Sequence, residues 1–400
     1  MASARRLSIP LAALALVAAG LAATTPSAAT PPSDPPWTTV ASGLDNPRLL
    51  SFAHGALYVA EAGVGGAGPC MEGAEGGPVC FGTSGAITKV TRHHQVRVAE
   101  GLPSLAGEGG FSAVGPADVE FLTKHRFIMT LGLGNDPAVR DTLPQVGQLL
   151  GTVVTGKVGR HHWWHNTKRR TGSTHNGHGH SSLPRVVADL ADFEGAHDPD
   201  QQGPDSNPTG LSLTWRGVAV TDSGGNTLIG LGKGGPAALA VFDSPGTATA
   251  PFPPFPEIAM QSVPTSVVQG PDKAWYVSEL TGFPFAPGAS RIHRIARDGT
   301  HTIYATGLTN VTDLAWYGRH LYAVQLANDG LLSAPEDELP TGSLVKVVPG
   351  GSPRTVVTGL PAPYGVAFAG GKAFGLPRGS DRVLFDLVAL GGIKRHVRPP

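Results

Sequence analysis

Ten polar side chains recur at matching places along this sequence. Asn46, Asp118, Asn207, Thr265, Asn310 and Asp313 stand at the heads of short apolar runs, and Glu61, Asp222, Glu279 and Gln325 end the run that follows. Carboxylates and amides gathered on one axis form the oxygen set that a hard cation such as Ca²⁺ prefers. The expected ligand-binding residues are Asn46, Glu61, Asp118, Asn207, Asp222, Glu279 and Asp313. Asp118, Asn207 and Glu279 are the expected metal ligands, and Arg48 is the one base nearby. The plainer alternative is that Asp and Asn before a strand only cap turns, and that a Glu ending a strand is solvated. No G-x-S-x-G elbow, H-E-x-x-H helix or phosphate loop occurs, so no catalytic residue is assigned.

Two further groups could do chemistry. Residues 156–182 carry six histidines (His161, His162, His165, His175, His178 and His180) among basic residues and the pair Trp163-Trp164. Such tracts can take up transition metals, although the irregular spacing and the Gly and Ser around them suit a solvated loop. Cys70 and Cys80, the only two cysteines, share one Gly-rich loop. In an exported chain a disulfide is the simplest reading, with free or metal-binding thiols as the alternative.

The elements that must position these residues are read from a repeat. Its clearest copy runs from Met260 to Thr300 and on into the next strand: Val263 to Val268, Ala274 to Glu279, Arg291 to Ile295 and His301 to Ala305 are four segments rich in β-branched and aromatic residues. Gly270-Pro271-Asp272 and Asp298-Gly299 are turn signals between the first and last pairs. A Gly-Leu marker opens several units, at Gly43-Leu44, Gly101-Leu102, Gly307-Leu308 and Gly359-Leu360. One four-stranded sheet cannot cover its own faces, so recurring copies imply radial stacking.

Six units can be counted, and the sixth loses its pattern after Phe385. Thr38-Thr39-Val40-Ala41-Ser42-Gly43-Leu44 matches Thr302 to Leu308 and Thr355 to Leu360, but no inner strands precede it. The expected fold is all-β: a six-bladed β-propeller closed by the N-terminal strand joining the last blade. Inner-strand starts and second-strand ends then ring one mouth of the channel, and Asp118 and Asp313 face each other across it. The loops Gly63 to Gly85, Gly132 to Gly147, Thr281 to Ser290 and Ala327 to Thr341 cover that mouth.

Composition agrees. The 400 residues include 55 Gly, 36 Pro and 40% hydrophobic residues, which suits short strands and tight turns. With 30 basic and 30 acidic side chains the formal net charge is zero, which removes a global electrostatic case for nucleic acid. At the start, Arg5-Arg6 precedes an apolar run to Ala23, and Ser27-Ala28-Ala29 offers small residues for cleavage. Residues 1–29 read as a secretory signal peptide, with an uncleaved anchor as the alternative; the run is short for a membrane span. Residues 30–36 form a Pro-rich linker, 37–386 the propeller with its 156–182 insertion, and 387–400 a C-terminal tail. The expected product is extracellular and monomeric, with no membrane span.

Several motifs together resemble the ScyD/ScyE family of exported bacterial propellers, in a form similar to actinobacterial members. They are Gly43-Leu44-Asp45-Asn46-Pro47-Arg48, Tyr58-Val59-Ala60-Glu61-Ala62-Gly63, Asp205-Ser206-Asn207-Pro208, Met260 to Val268, and Glu279-Leu280-Thr281-Gly282-Phe283-Pro284-Phe285. The chain departs from the family pattern at Ala117, where His is expected, at Gln325, where Glu is expected, at Gly375-Leu376, and in the His-rich insertion. The wider resemblance, to NHL-repeat and gluconolactonase-like propellers, implies a divalent metal at the channel mouth, by fold analogy alone. Two functions follow. One is an exported binding or scaffold protein that offers its mouth to a small molecule, glycan or protein. The other is a Ca²⁺-dependent lactonase-like hydrolase with Glu279 or Asp222 as base.

Overall fold

The computed structural model of the protein describes residues 37–158, 183–377 and 384–387, apart from positions 75, 216, 252, 254–256, 336 and 337. The expected signal peptide and linker, the histidines of the insertion and the expected tail beyond 387 lie outside the described residues.

Antiparallel sheets built from consecutive strands dominate the chain. The reference unit folds as read, into Pro264–Gln269, Trp275–Glu279, Ser290–Ile295 and His301–Leu308, in that order across the sheet. The third unit does the same with Pro208–Thr214, Gly217–Asp222, Thr227–Gly232 and Gly235–Val241. The inner strands pack side by side from unit to unit. Pro47–Ala53 touches both Pro116–Thr123 and Pro363–Ala369, so the ring closes and the architecture is a propeller. Trp37–Ala41 pairs antiparallel with Leu384–Leu387, Thr39 opposite Phe385, which completes the last sheet with the first strand of the chain.

Among the described residues five sheets are regular four-stranded blades, where six such blades were expected. The sheet of the first unit is enlarged to five strands. Its third strand starts at Pro78 rather than Ala86, its fourth spans Gln95–Ala106, and Cys70–Glu72 pairs with the extension. Cys70 and Cys80 are in register and joined as a disulfide, so the Gly-rich loop is a stapled hairpin. A small hairpin, Thr247–Thr249 with Glu257–Ala259, lies between the third and fourth units.

The repeat markers have a shared geometry. Gly43, Gly101, Gly307 and Gly359 all take φ between 70° and 76°, a region that glycine enters without a Cβ penalty. In three units this glycine is the extra residue of a bulge: Gly85 pairs with Leu102 and Ala86 with Glu100, skipping Gly101, and the same slip occurs at Gly307 and Gly359. The leucine that follows is buried between sheets at all four places. A separate apolar cluster fills each gap between neighbouring sheets, such as Tyr58, Ile87, Val119 and Met129 between the first and second units. Each fully buried Leu, Val or Ile side chain contributes about 1.5–3 kcal/mol there.

One element is absent from the sequence reading. Asp189 caps an eight-residue helix, α1, Leu190–His197, and accepts the Asp192 N–H at 2.9 Å.

Candidate functional site

Every inner strand begins with a register slip against its neighbour, and five of the six begin with proline: Pro47, Pro116, Pro208, Pro264 and Pro363. Proline lacks the N–H that a regular ladder would need, so a bulge is where it fits. These starts pair with second-strand ends: Pro47 with Glu61, Pro208 with Asp222, Pro264 with Glu279, Val311 with Gln325. The residues expected at one mouth are therefore at one end of the sheets.

The side chains ending the second strands share a local task. Asp222 accepts from the N–H of Asn207 at 2.6 Å and the hydroxyl of Ser206 at 2.7 Å. Glu61 accepts from the Asp45 N–H at 2.6 Å, Glu279 from the Ser262 hydroxyl at 2.6 Å, and Gln325 from the Thr309 N–H at 2.9 Å. Each ties down the turn that leads into its own inner strand. Glu61 and Glu279 are fully buried, and each is met by an arginine from a later strand of its blade. Arg97 Nη2 lies 2.7 Å from Glu61 and 2.8 Å from Asp45, and Arg291 reaches Glu279 with Nε at 2.8 Å and Nη2 at 2.6 Å. Burial pushes the Glu279 carboxyl up, but Arg291, His293 and Ser262 outweigh it and hold the group below its usual range. Asn46, at φ 50°, donates its amide to the carbonyls of Gly63 and Gly110. Asn207 is half-buried beside Gly132, where a Cβ would come within 2.5 Å of its Oδ1. A cation shared by Asp118, Asn207 and Glu279 would have to displace the Arg291 ion pair.

The channel holds a different constellation. Side chains on a strand alternate between faces, and behind the bulge the register puts Leu49, Asp118, Gly210, Ser266, Asp313 and Gly365 at one level. Two residues on, Ser51, Glu120, Ser212, Val268, Ala315 and Ala367 form the next. Asp118, Glu120 and Asp313 line one cavity of about 240 Å³, walled by all the inner strands. Glu120 is the site residue missing from the sequence reading, and its signal was the two-residue step from Asp118 along the same strand face.

The two aspartates repeat one arrangement three units apart. Asp118 accepts from its neighbour Val119 at 2.7 Å and from Leu211 of the next inner strand at 2.8 Å. Asp313 accepts from Leu314 and Val366, each at 2.8 Å, and from the Ser266 hydroxyl at 2.7 Å. The residue before each of the donors Leu211 and Val366 is a glycine with no space for more. A Cβ on Gly210 would lie 2.6 Å from Ser266 Cα, and one on Gly365 2.9 Å from the Arg48 carbonyl. Burial, with the neighbouring Glu120 charge, pushes Asp118 well above the carboxylate range. Burial also raises Asp313 and Glu120, each to about 7. No ion pair among the described residues neutralises the three.

Above the mouth, the hairpin of the first unit and the loop of the second pack on each other. Val79, Phe81, Leu105, Leu133, Leu143 and Leu150 form an apolar cluster with Ala191 of α1. Arg140 Nη1, 3.0 Å from Asp189, anchors the helix to this roof. A separate acidic group lies where α1 ends. Ligand atoms of Glu194, Asp198 and Asp200 lie within 4.8 Å of one another, an arrangement that could hold a metal ion.

No protein-family model matches the chain, and no curated protein matches it. Among solved structures, it is similar to a catalytically inactive virginiamycin B lyase from Staphylococcus aureus crystallised with quinupristin, at 11% identity and TM-score 0.43, over 87% of this chain and 97% of that one. It is also similar to a chain of a nidogen/laminin complex, at 13% identity and TM-score 0.40, over 74% and 84%. A computationally designed protein aligns at 10% identity and TM-score 0.38, over 87% and 97%. Among the described residues no helix is long and apolar enough to cross a membrane.

Proposed function

We propose that this is an exported ScyD/ScyE-type propeller that binds a small molecule in the channel beneath its roofed mouth, at Asp118, Glu120 and Asp313. The observation that carries the reading is the cavity of about 240 Å³ with the buried carboxyl groups of Asp118 and Asp313, the half-buried one of Glu120, and the hydroxyls of Ser51, Ser212 and Ser266 at its wall. Pockets that bind small ligands combine apolar walls with a few fixed polar groups, and Trp316, Phe52 and Phe368 supply the apolar part here. Carboxyls that hold protons near neutrality can donate as well as accept, so a polyol or a small amine suits the site. Asn46, Glu61, Asp222, Asn207 and Glu279 support it from the mouth, as the groups that fix the turns from which the lining strands start.

A direct test is thermal shift with hexoses, amino sugars and polyamines on the wild type and on Ala315→Phe, whose ring would occupy the cavity. A shift seen in the wild type and lost in Ala315→Phe is the expected result. A shift of equal size in both proteins would place binding elsewhere. Calcium-dependent turnover of aldonolactones, lost in Asp118→Asn, would favour the lactonase-like reading instead.

A further inference from the structure

Among the described residues no ion pair reaches Glu194, Asp198 or Asp200, the acidic group at the end of α1. Glu194, within α1, is 0% exposed, and among the described residues neither of its carboxylate oxygens has a hydrogen-bond partner. Asp198, which ends the helix at φ 40°, and Asp205 each bury an unpartnered Oδ1. An orphaned buried oxygen costs roughly 1–3 kcal/mol, and more when charged, so several in one place call for an explanation.

The surroundings form a cradle rather than a chance cluster. The turn after the second strand of the third blade presents Gly224 and Gly225 to these acids. A Cβ on Gly225 would come within 2.4 Å of Glu194 Oε2, and one on Gly224 within 2.8 Å of Asp205 Oδ1. Asn226 in the same turn donates to Asp200 Oδ2 at 2.8 Å, leaving that carboxylate oriented. Gly203 N–H donates to Asp198 Oδ2 at 3.2 Å, which leaves Oδ1 as the open oxygen of that residue.

We infer that Glu194, Asp198, Asp200 and Asp205 bind a calcium ion that fastens α1 and the loop behind it to the Gly224–Gly225 turn of the third blade. The donor set is all oxygen, as calcium requires, and combines one helix carboxylate with three from a following loop. The bound ion also fixes the segment that leads directly into Ser206 and Asn207 at the mouth. This site is distinct from the channel carboxyls, and either can fail without the other.

The test uses the full-length protein after EDTA treatment and dialysis. Addition of 1 mM CaCl₂ should raise its melting temperature by several degrees, and titration calorimetry should show one ion per chain, with Mg²⁺ much weaker. Glu194→Gln should weaken calcium binding at least about 100-fold. In EDTA the same variant should melt no lower than the wild type, since it keeps the shape of a buried side chain whose oxygens have no hydrogen-bond partner to lose, so loss of binding cannot be confused with unfolding. Asp200→Asn serves as the second variant and should also weaken binding. Absence of any calcium-dependent shift in the wild type, or an undiminished shift in Glu194→Gln and Asp200→Asn, overturns the assignment.

Discussion

Glu120 and Asp313 show how one residue's burial becomes a property of the molecule. In the unfolded chain a Glu titrates near ~4.3, whereas the folded Glu120 holds its proton to about 7. The folded state therefore binds more protons between these values, and its stability falls as pH rises through that window. Below the unfolded value the contribution is fully present. Glu120→Gln removes the titration without changing the shape. Urea midpoints should then show the variant close to wild type near pH 4.5 and more stable by about 3 kcal/mol at pH 8. Equal pH slopes for the two proteins would count against a buried channel carboxyl. Glu279 predicts the opposite behaviour, because Arg291, His293 and Ser262 hold its carboxyl below the usual range against the cost of burial. Removing Arg97 by substitution with Ala should cost about 3–5 kcal/mol by stranding Glu61, the penalty for breaking a buried pair, measured as the loss in unfolding free energy.

At the scale of elements, the bulged start of each inner strand is the unit that matters. It lets proline begin the strand, turns one side chain into the channel, and brings the next strand close enough for an aspartate to accept its N–H. Gly365→Ala tests the closeness. The added methyl meets the Arg48 carbonyl and Leu50 Cδ2, each at 2.9 Å. Overpacking of this kind costs about 1–3 kcal/mol, and the Asp313 to Val366 hydrogen bond should loosen with it, seen as faster amide exchange at Val366. Exchange unchanged at that amide would show that the two strands can part without loss. These strands were legible in the sequence because a period of two and turn dipeptides are local signals. The stapled hairpin was not fully read, since Gly65, Gly66 and Gly68 look like loop. They are needed there because Cys80, Phe81 and Gly82 pass within 3 Å of where their Cβ atoms would stand.

For the whole molecule, closure is the decisive feature. Trp37–Ala41 covers an edge strand, Leu384–Leu387, that would otherwise present unpaired backbone groups. Deleting residues 37–41 should lower the melting temperature by ten degrees or more and produce concentration-dependent association in size-exclusion chromatography. A deletion variant that stays monomeric and melts with the wild type would mean that the ring does not depend on this strand.

The sequence by itself determined the strand repeat, the closing role of the first strand, the Cys70–Cys80 pair and the places of Asp118 and Asp313 on inner strands three units apart, because each follows from local periodicity and from counting units. It could not decide which acids would be neutralised and which left bare. Glu61 met Arg97, Glu279 met Arg291, and Glu194 met only other carboxylates and a glycine turn. The cost of burying a charge depends on neighbours brought from distant parts of the chain, so that choice was made only when the sheets closed.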